Sequence, residues 1–503
     1  MCAETPLTRI AARSDLSPQA AIVFTHLGCQ ESRGHDSVNS WLIRGGTDGA
    51  GLWAGAVWRP PPGKRGAALH AALVDRPGSC IRRLGGCRSR EMQFWRFLRN
   101  PAVTAQEMAC HAVELTSGRV AGRDIVVAQD TSELALGGRR VRANGYGPVG
   151  KGGALGGLLL HAALAIDVGS NAVLGLVDAQ IWNRDKAIDS PRRSRALADK
   201  ESRRWSDTTA RAARFLATAA SVTFVSDRES DIYEYFAARP ANVHLIVRAC
   251  QDRKIECAAE GETELLFSHI DSLPEAGRLA VRIPAAPGRK ARDTKLAVRF
   301  ASVKLCKPLH SKAGDLPTSI ALTLVDVREV QVPEDAEPIH WRLLTTHTVT
   351  NLAEARRIVE FYRMRWNIEE FFRTLKTAGF DIEEADISDP QVMIKFVAAA
   401  TVSAVTVMQL VKARDGTSDQ QLADAFEPED QAILEAVATK LEGKTTRQKN
   451  PHPKGSLAFA AWVIARLGGW TGYYGKPGPK VMRRGLEDFR RIKFGTTLRP
   501  NDV

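Results

Sequence analysis

The sequence predicts a mixed α/β fold that is interrupted by an antiparallel β insertion and has helical regions at both ends. Apolar strand-like runs alternate with helices between residues 121 and 250. From about residue 250 to 340 the pattern changes to apolar–polar alternation, which is typical of antiparallel strands with one wet face. Helical periodicity dominates on both sides of this region. With 503 residues, the chain is long enough for several domains and a large core.

These patterns predict six segments. Residues 1–55 lack periodicity and are interpreted as an uncharacterised extension or linker. The others are, in order, an N-terminal helical region (56–120), the first part of the α/β core (121–250), the β-strand insertion (251–345), the second part of the core (346–390) and a C-terminal helical region (391–503).

The charge of the chain favours a polyanionic partner. It has 70 Lys and Arg against 57 Asp and Glu, a formal net charge of +13. Such a balance indicates DNA, RNA or an anionic membrane surface. With 44% hydrophobic and 25% charged residues, the composition excludes wholesale disorder, collagen and a small disulfide scaffold. In the N-terminal region, arginines alternate with Phe94, Trp95 and Phe97, which indicates either a basic binding module or an ordinary solvated helical subdomain.

The cysteines and the longest apolar run both point to the cytoplasm. The eight cysteines form no C-x-x-C pair, so we interpret them as reduced thiols rather than zinc ligands or disulfides. The segment Val392–Val411 is about as long as a bilayer requires. It also carries polar residues such as Lys395 and Gln409 and has no second candidate beside it. A helix buried in the protein is therefore the preferred interpretation.

Two aspartates directly follow predicted strands. The predicted strands here are Asp124–Ala128, Leu158–Ile166, Ala172–Trp182, Ser221–Val225 and Val243–Ala249, with a helix at about 194–219 between the third and the fourth. Asp130 follows the first strand and Asp227 the fourth. Alone, either aspartate would suit a turn or a helix N-cap. Together with a third acid they would converge on the carboxyl edge of one sheet, where mixed α/β folds bind ligands.

The third acid is predicted on a continuous helix from Asn351 through Lys376, within the segment Phe361–Phe380. At 100° per residue, four polar side chains fall within about 60° of arc: Tyr362, Arg365, Glu369 and Lys376. Arg373 flanks them. Arg365 and Glu369 also form an ordinary i, i+4 pair, which any exposed helix can carry. However, a helix-borne carboxylate can hold a divalent metal while Tyr, Arg and Lys beside it bind phosphates.

The sequence resembles the DDE transposases in three ordered blocks. They are AQDTS around Asp130, SDRESDIYEY from Ser226, and Y-x-x-R-x-x-x-E-x-x-x-x-x-x-K from Tyr362. The last spacing is the hallmark of the insertion-sequence-four, Tn-five-like group, and it matches without a gap. Further similarity lies in WRFLRNP, DKESRRW, WRLLTT and GSLAFAAWVIARLGGW. The resemblance therefore extends from about residue 60 to the end, and residues 1–55 have no counterpart in it.

The resemblance implies a fold and a set of site residues. The fold would be an RNase H-like core with a β insertion, an N-terminal DNA-end-binding region and a C-terminal dimerisation region. The triad Asp130, Asp227 and Glu369 would be catalytic and would bind two Mg²⁺ ions, which Mn²⁺ can replace. The implied DNA-binding residues are Tyr362, Arg365 and Lys376 on phosphates, Arg373 beside them, Trp341 stacking on a flipped base, and Arg248.

The implied function is Mg²⁺-dependent cut-and-paste transposition of an insertion sequence, by hydrolytic end cleavage, hairpin formation and strand transfer. The implied partners are the terminal inverted repeats and the target DNA, with a homodimer in the DNA complex and no membrane. The location would be the bacterial cytoplasm, with the protein nucleoid-associated when it is bound to DNA. Two alternatives share most of these residues: a non-catalytic DNA-end-binding regulator, and a metal-dependent DNA nuclease without strand transfer.

Overall fold

The computed structural model describes residues 62–75, 78–184, 201–257, 262–283, 291–309, 316–333, 337–377, 379–473 and 475–497. The predicted extension 1–55 lies outside these residues. So does the start of the predicted helix at 194–219.

The strands in chain order are β1 (Asp124–Gly137), β2 (Gly147–Val149), β3 (Leu155–Asp167), β4 (Val173–Trp182), β5 (Ser221–Ser226), β6 (His244–Arg248), β7 (Lys254–Glu256), β8 (Thr263–Leu265), β9 (Gly277–Ile283), β10 (Arg292–Cys306), β11 (Ser319–Glu329) and β12 (His340–Thr345). The helices in chain order are α1 (Pro62–Asp75), α2 (Ile81–Gly85), α3 (Arg88–Arg99), α4 (Ala105–Arg119), α5 (Arg139–Ala143), α6 (Arg203–Phe215), α7 (Tyr233–Ala237), α8 (Leu266–Ser272), α9 (Leu352–Arg363), α10 (Trp366–Lys376), α11 (Pro390–Ala413), α12 (Asp430–Leu441), α13 (Leu457–Leu467) and α14 (Pro479–Thr497).

The chain forms two compact units, and the first contains the described parts of residues 122–130 and 188–366. Its strands follow the order β1-β5-β6-β12-β11-β10-β7-β8, with β9 also on β10. The pairs β1–β5 and β5–β6 are parallel, whereas β6–β12, β12–β11 and β11–β10 are antiparallel. The first unit is therefore built on a mixed sheet.

Side-chain patterns explain this division of the sheet. In β5 every residue after Ser221 is buried, which is usual for a parallel strand covered on both faces. In β9 buried and exposed residues alternate, as expected for an antiparallel strand with one wet face. The predicted strands Ser221–Val225 and Val243–Ala249 correspond to β5 and β6.

The second unit contains the described parts of residues 16–121, 131–187 and 367–503. It has the antiparallel strands β2, β3 and β4, and helices α4 and α11 pack against β4. Asp389 is the N-cap of helix α11: its carboxylate accepts the amides of Gln391 and Val392, and Pro390 is the first helical residue. It is the one described helix long and apolar enough to cross a membrane, and 89% of its apolar window is buried inside the protein. The interpretation of this run as a buried helix is confirmed.

Two predicted boundaries were wrong. Strand β1 continues to Gly137, so Asp130 lies within a strand and not at its end. The predicted continuous helix is divided into α9 and α10 at Met364–Arg365. There the amide of Arg365 bonds to the carbonyl of Tyr362 at 3.1 Å, three residues back, which tightens the turn. The helical-wheel angles from Tyr362 to Lys376 therefore do not apply across this break.

Candidate active site

The pairing of β1 with β5 positions the two predicted aspartates. In the parallel register of the two strands, Ala128 is opposite Val225. Asp130 and Asp227 each lie two residues past this last pair, Asp130 within β1 and Asp227 directly after β5. Neighbouring strands lie about 4.8 Å apart. The two aspartates therefore lie at the carboxyl edge of this strand pair in the first unit.

Three acids follow β5 within five residues, and the structure distinguishes them. Glu229 pairs with Arg204 at 2.7 Å and its side chain is 45% exposed. Asp231 is buried, and its carboxylate accepts the amides of Cys250 at 2.9 Å and Gln251 at 3.0 Å.

Asp231 also accepts the Nε of Arg253 at 3.0 Å, so that both of its oxygens are engaged. Asp227 is 8% exposed, yet it has one side-chain hydrogen bond within the described part of the chain, from the Tyr362 hydroxyl at 3.5 Å. Carboxylate oxygens offer about four acceptor positions. Asp227 is therefore the acid of this loop that can accept a further ligand.

A serine pair fixes the loop that carries Asp227. The hydroxyls of Ser226 and Ser230 lie 2.6 Å apart, and Ser230 donates to the carbonyl of Asp227 at 2.7 Å. Both serines are fully buried. Neither this pair nor the Asp231–Arg253 contact is predicted from the sequence. Small polar residues at both ends of the S-D-R-E-S motif were the available signal.

Arg365 brings a buried cation to the same edge. It is 4% exposed, and its Nη1 lies 3.2 Å from Oδ2 of Asp130. Its guanidinium carbon lies 5.8 Å from the Tyr362 ring centre and 5.6 Å from that of Trp366. These contacts hold the guanidinium between two aromatic rings and beside a carboxylate. The break between α9 and α10 sets the position from which Arg365 makes them.

Tyr362 stays protonated in this setting. Burial raises the pKa of its hydroxyl to about 12, and nearby Asp227 raises it as well, while the charges of Arg365 and Arg248 act in the opposite direction. The neutral hydroxyl is therefore a donor, which agrees with its contact to Asp227. Trp341 packs on the same ring, with centres 5.4 Å apart and planes inclined at 63°.

Arg248 completes the group in the first unit. It lies opposite Leu343 in the β6–β12 pair, and its Nη2 donates to the carbonyl of His340 at 3.1 Å. Six predicted site residues thus occur together here: Asp130, Asp227, Arg248, Trp341, Tyr362 and Arg365. The arrangement combines two carboxylates with two guanidiniums and two aromatic rings, which suits a ligand with negative charges and flat bases.

The other three predicted site residues belong to the second unit. Glu369 lies in the first turn of α10 and is half-buried. Arg373 is exposed and contacts Glu370 at 3.5 Å, and Lys376 lies 3.4 Å from a carboxylate oxygen of Glu383. The convergence of Glu369 with the two aspartates stays a prediction.

The two aspartates have the donor chemistry that Mg²⁺ requires. Among the described residues, no group of three or more His, Cys, Asp or Glu side chains is arranged as a metal site. Mg²⁺ is usually held by one or two carboxylates, completed by waters and substrate phosphates. Asp227, buried and with acceptor positions still open, and Asp130 beside it fit such a site.

One comparison with known proteins bears on this site. Residues 170–403 match the family model of the transposase DDE domain. The match includes Asp227 and Glu369, and Asp130 precedes it. A mixed α/β structure with a mixed sheet is consistent with an RNase H-like DDE domain. The match supports a DDE transposase family for this chain. Such a family implies an enzyme that transfers phosphoryl groups on DNA and generally uses divalent metals.

Proposed function

We propose that this protein is a DNA transposase of the insertion-sequence-four, Tn-five-like group, and that it moves an insertion sequence by a cut-and-paste route. The steps are end cleavage by hydrolysis, hairpin formation and strand transfer. The observation that carries the proposal is Asp227, a buried carboxylate with unused acceptor positions beside Asp130, within a region that matches the transposase DDE domain.

In this proposal Asp130, Asp227 and Glu369 are the metal-binding, catalytic residues. Two Mg²⁺ ions, or Mn²⁺ in their place, would activate the attacking hydroxyl and stabilise the leaving oxygen of an in-line displacement. The chain's own contribution is to hold the carboxylates on a strand edge and a helix, and to keep the site partly dry. Asp227 is suited to this task because the serine pair and the Asp231 contacts fix its loop.

The cationic and aromatic side chains would hold the DNA. Arg365 contacts Asp130 in the free protein, and a bound phosphate would offer it a second anionic partner. Tyr362 would donate its hydroxyl to a phosphate oxygen. Trp341 would stack on a base removed from the helix, and stacking on an aromatic side chain contributes about 1–3 kcal/mol per base. Arg248, Arg373 and Lys376 are the further proposed phosphate contacts.

The proposed partners are the terminal inverted repeats of the encoding element and the target DNA. Excision must coordinate two DNA ends, so we expect a homodimer in the DNA complex. The proposed location is the bacterial cytoplasm, on the nucleoid when the protein is bound to DNA. The helical N-terminal region is the proposed end-binding region, and the C-terminal helices are the proposed dimerisation region.

The deciding experiment is a cleavage and joining assay with purified protein, Mg²⁺ and DNA that carries the flanking inverted repeats. A transposase cuts both ends and joins them to a target. Cutting without joining would favour a metal-dependent nuclease, and binding without cutting would favour a non-catalytic regulator. The matched control is Glu369→Gln, which should abolish cleavage and leave end-binding nearly intact. A loss of binding in that variant would make Glu369 a structural residue instead.

A further inference from the structure

The positive charge of the chain is concentrated in two helical segments of the second unit. Residues 78–99, which include α2 and α3, carry six arginines and one glutamate. Helix α14 carries six Lys or Arg against two acids. The two segments together hold +9 of the chain's net charge of +13. They come from opposite ends of the described chain.

The two segments line one groove. It has a volume of about 760 Å³, and its walls come from α2 and the start of α3 on one side and α14 on the other. Five arginines line it: Arg83, Arg90, Arg483, Arg490 and Arg491. Three carboxylates also line it, those of Asp381, Glu384 and Glu487. The lining therefore has more cations than anions, and the groove is far larger than one phosphate group requires.

The arginines of the first wall are available to a ligand. Arg83 and Arg90 are exposed, and neither makes an ion pair within the described part of the chain. On the second wall, Arg491 contacts Glu487 at 2.6 Å and Asp488 at 2.8 Å, but its side chain is 67% exposed. Exposed pairs of this kind contribute little and exchange easily for a stronger anion. Phe494, which is 65% exposed, adds an aromatic ring to the same lining.

We propose that this groove binds the phosphodiester backbone of a DNA duplex between the N-terminal helices and α14. Guanidiniums from two walls match a backbone that presents a charge at regular intervals, and Arg is the side chain best suited to phosphate oxygens. The choice of DNA as the polyanion rests on the proposed function. The inference goes beyond it because it gives α14, in the region expected to serve dimerisation, a direct contact with DNA.

Two triple variants with equal charge changes test the groove. The first is Arg83→Gln, Arg90→Gln and Arg491→Gln, which removes three lining cations. The matched control is Arg82→Gln, Arg96→Gln and Arg484→Gln on the same helices, since these three exposed arginines do not line the groove. Duplex binding is measured by fluorescence anisotropy over a range of salt concentrations. Each lost phosphate contact should reduce the slope of log affinity against log salt by about 0.9.

We expect the groove variant to bind duplex DNA at least tenfold more weakly, with a slope reduced by about 2 to 3. The control variant should change the slope by less than about 1. Equal losses in both variants would mean that overall charge, and not this groove, binds DNA. Unchanged binding in the groove variant would also overturn the proposal.

A second measurement needs no substitution. Cys80 and Cys87 are exposed free thiols, and both line the groove. Alkylation of the wild-type protein, quantified by peptide mass spectrometry, should be at least fivefold slower at both cysteines when duplex DNA is bound. Cys306, in the first unit, provides the reference rate within the same sample. Equal rates with and without DNA at Cys80 and Cys87 would rule out a backbone in the groove.

These measurements separate the groove from the catalytic proposal. The Glu369→Gln protein should show the same salt slope and the same thiol protection as the wild type, because the groove needs no cleavage. Protection of the thiols in a wild-type protein that does not cut DNA would support the groove and overturn the transposase proposal. Cleavage of DNA without protection of the thiols would support the transposase proposal and overturn the groove.

Discussion

Asp227 and Asp326 are two buried carboxylates of the first unit, and they differ in how completely the protein satisfies them. Asp326, on β11, is fully buried and receives His340 at 2.8 Å and Arg328 at 2.9 Å. Arg342 and Arg299 lie 3.4 and 3.9 Å away. Asp227 is almost as buried, but among the described residues its carboxylate accepts one hydrogen bond, at 3.5 Å from the Tyr362 hydroxyl.

This difference in hydrogen bonds and ion pairs distinguishes a structural carboxylate, Asp326, from one that can still bind a ligand, Asp227. Arginines and aromatic rings are near both, so the local composition does not distinguish the two regions. Burial alone would raise the pKa of Asp326, but the hydrogen bond and charge of His340 and the guanidinium of Arg328 hold it below its usual value. Asp326 is thus stabilised as an anion by the protein itself, whereas Asp227 has acceptor positions left for a cation.

The largest effect is expected from Asp227→Asn. The amide replaces a charged oxygen by a donor, so the variant should cleave DNA ends at least a thousandfold more slowly, by loss of metal binding. End-binding, measured by anisotropy, should stay within about threefold of the wild type.

Glu229→Gln is the matched control for Asp227→Asn, since it makes the same chemical change two residues away on an exposed side chain. It should cleave within about threefold of the wild type. If both variants lost cleavage equally, the unused acceptor positions of Asp227 would not explain the requirement for this residue in cleavage.

Asp326→Asn should have the opposite effect: it should reduce the stability of the protein and leave DNA cleavage almost unchanged. It leaves several buried or half-buried cations without their common anion, and breaking a buried pair typically costs about 3–5 kcal/mol. We expect a loss of that order in the free energy of unfolding, measured by chemical denaturation. Cleavage per folded molecule should stay within a few-fold of the wild type.

Asp293→Asn provides the reference for Asp326→Asn in the same set of strands. Its carboxylate pairs with Arg282, and both side chains are at least 70% exposed. Its stability should equal that of the wild type. An Asp326→Asn protein that kept its stability and lost cleavage would place Asp326 in the active site and remove the contrast with Asp227.

The sequence predicts the open carboxylate better than the contacts around it. The apolar run SVTFV, followed by Ser226 and Asp227, indicates a buried strand with an acid at its carboxyl end, and the structure has both. In contrast, the continuation of β1 past Asp130 could not be predicted, because TSELALG lacks a strand-like run of β-branched residues.

The break in the long predicted helix could not be predicted either, for a different reason. Met364 and Arg365 are good helix formers, and no Gly or Pro marks the position. The break accompanies a contact between Arg365 and Asp130, which are 235 positions apart in sequence. Similarly, the distinction between Asp227 and Asp231 depends on Arg253 and on the amides of residues 250 and 251. Sequence-local patterns do not contain such information.

His347 is a half-buried ionisable group, and no ion pair joins it to an acid within the described part of the chain. His347 stacks on His244, with ring centres 3.9 Å apart, and its Nε2 lies 2.9 Å from the Thr223 hydroxyl. Burial lowers the pKa of His347 to about 3, and the neighbouring His244 and Arg357 add to the effect.

Between pH 6.5 and 3 the unfolded chain therefore binds a proton at His347 that the folded chain does not. Neutral His347 therefore makes its full contribution to the free energy of unfolding above pH 6.5. The free energy of unfolding decreases as the pH falls below this value, by about 2 kcal/mol at pH 5. Chemical denaturation at pH 7.5 and pH 5 should show this loss in the wild type and a correspondingly smaller one in His347→Gln. Identical pH dependence in both proteins would show that folding does not lower the pKa of His347.

The smallest effect is expected at the edge of the open site. The Trp341 ring packs edge-on against Tyr362, the same residue whose hydroxyl contacts Asp227. If Trp341 stacks on a flipped base, Trp341→Ala should slow hairpin formation about tenfold, within the range expected for one stacking contact. Nicking of the first strand should change less than twofold, and Trp341→Phe should restore most of the loss. Single-turnover assays that resolve nicked and hairpin DNA measure both steps. Equal slowing of the two steps would instead mean that Trp341 supports Tyr362 and, through it, the carboxylate, because a packing defect there would affect every reaction at the site.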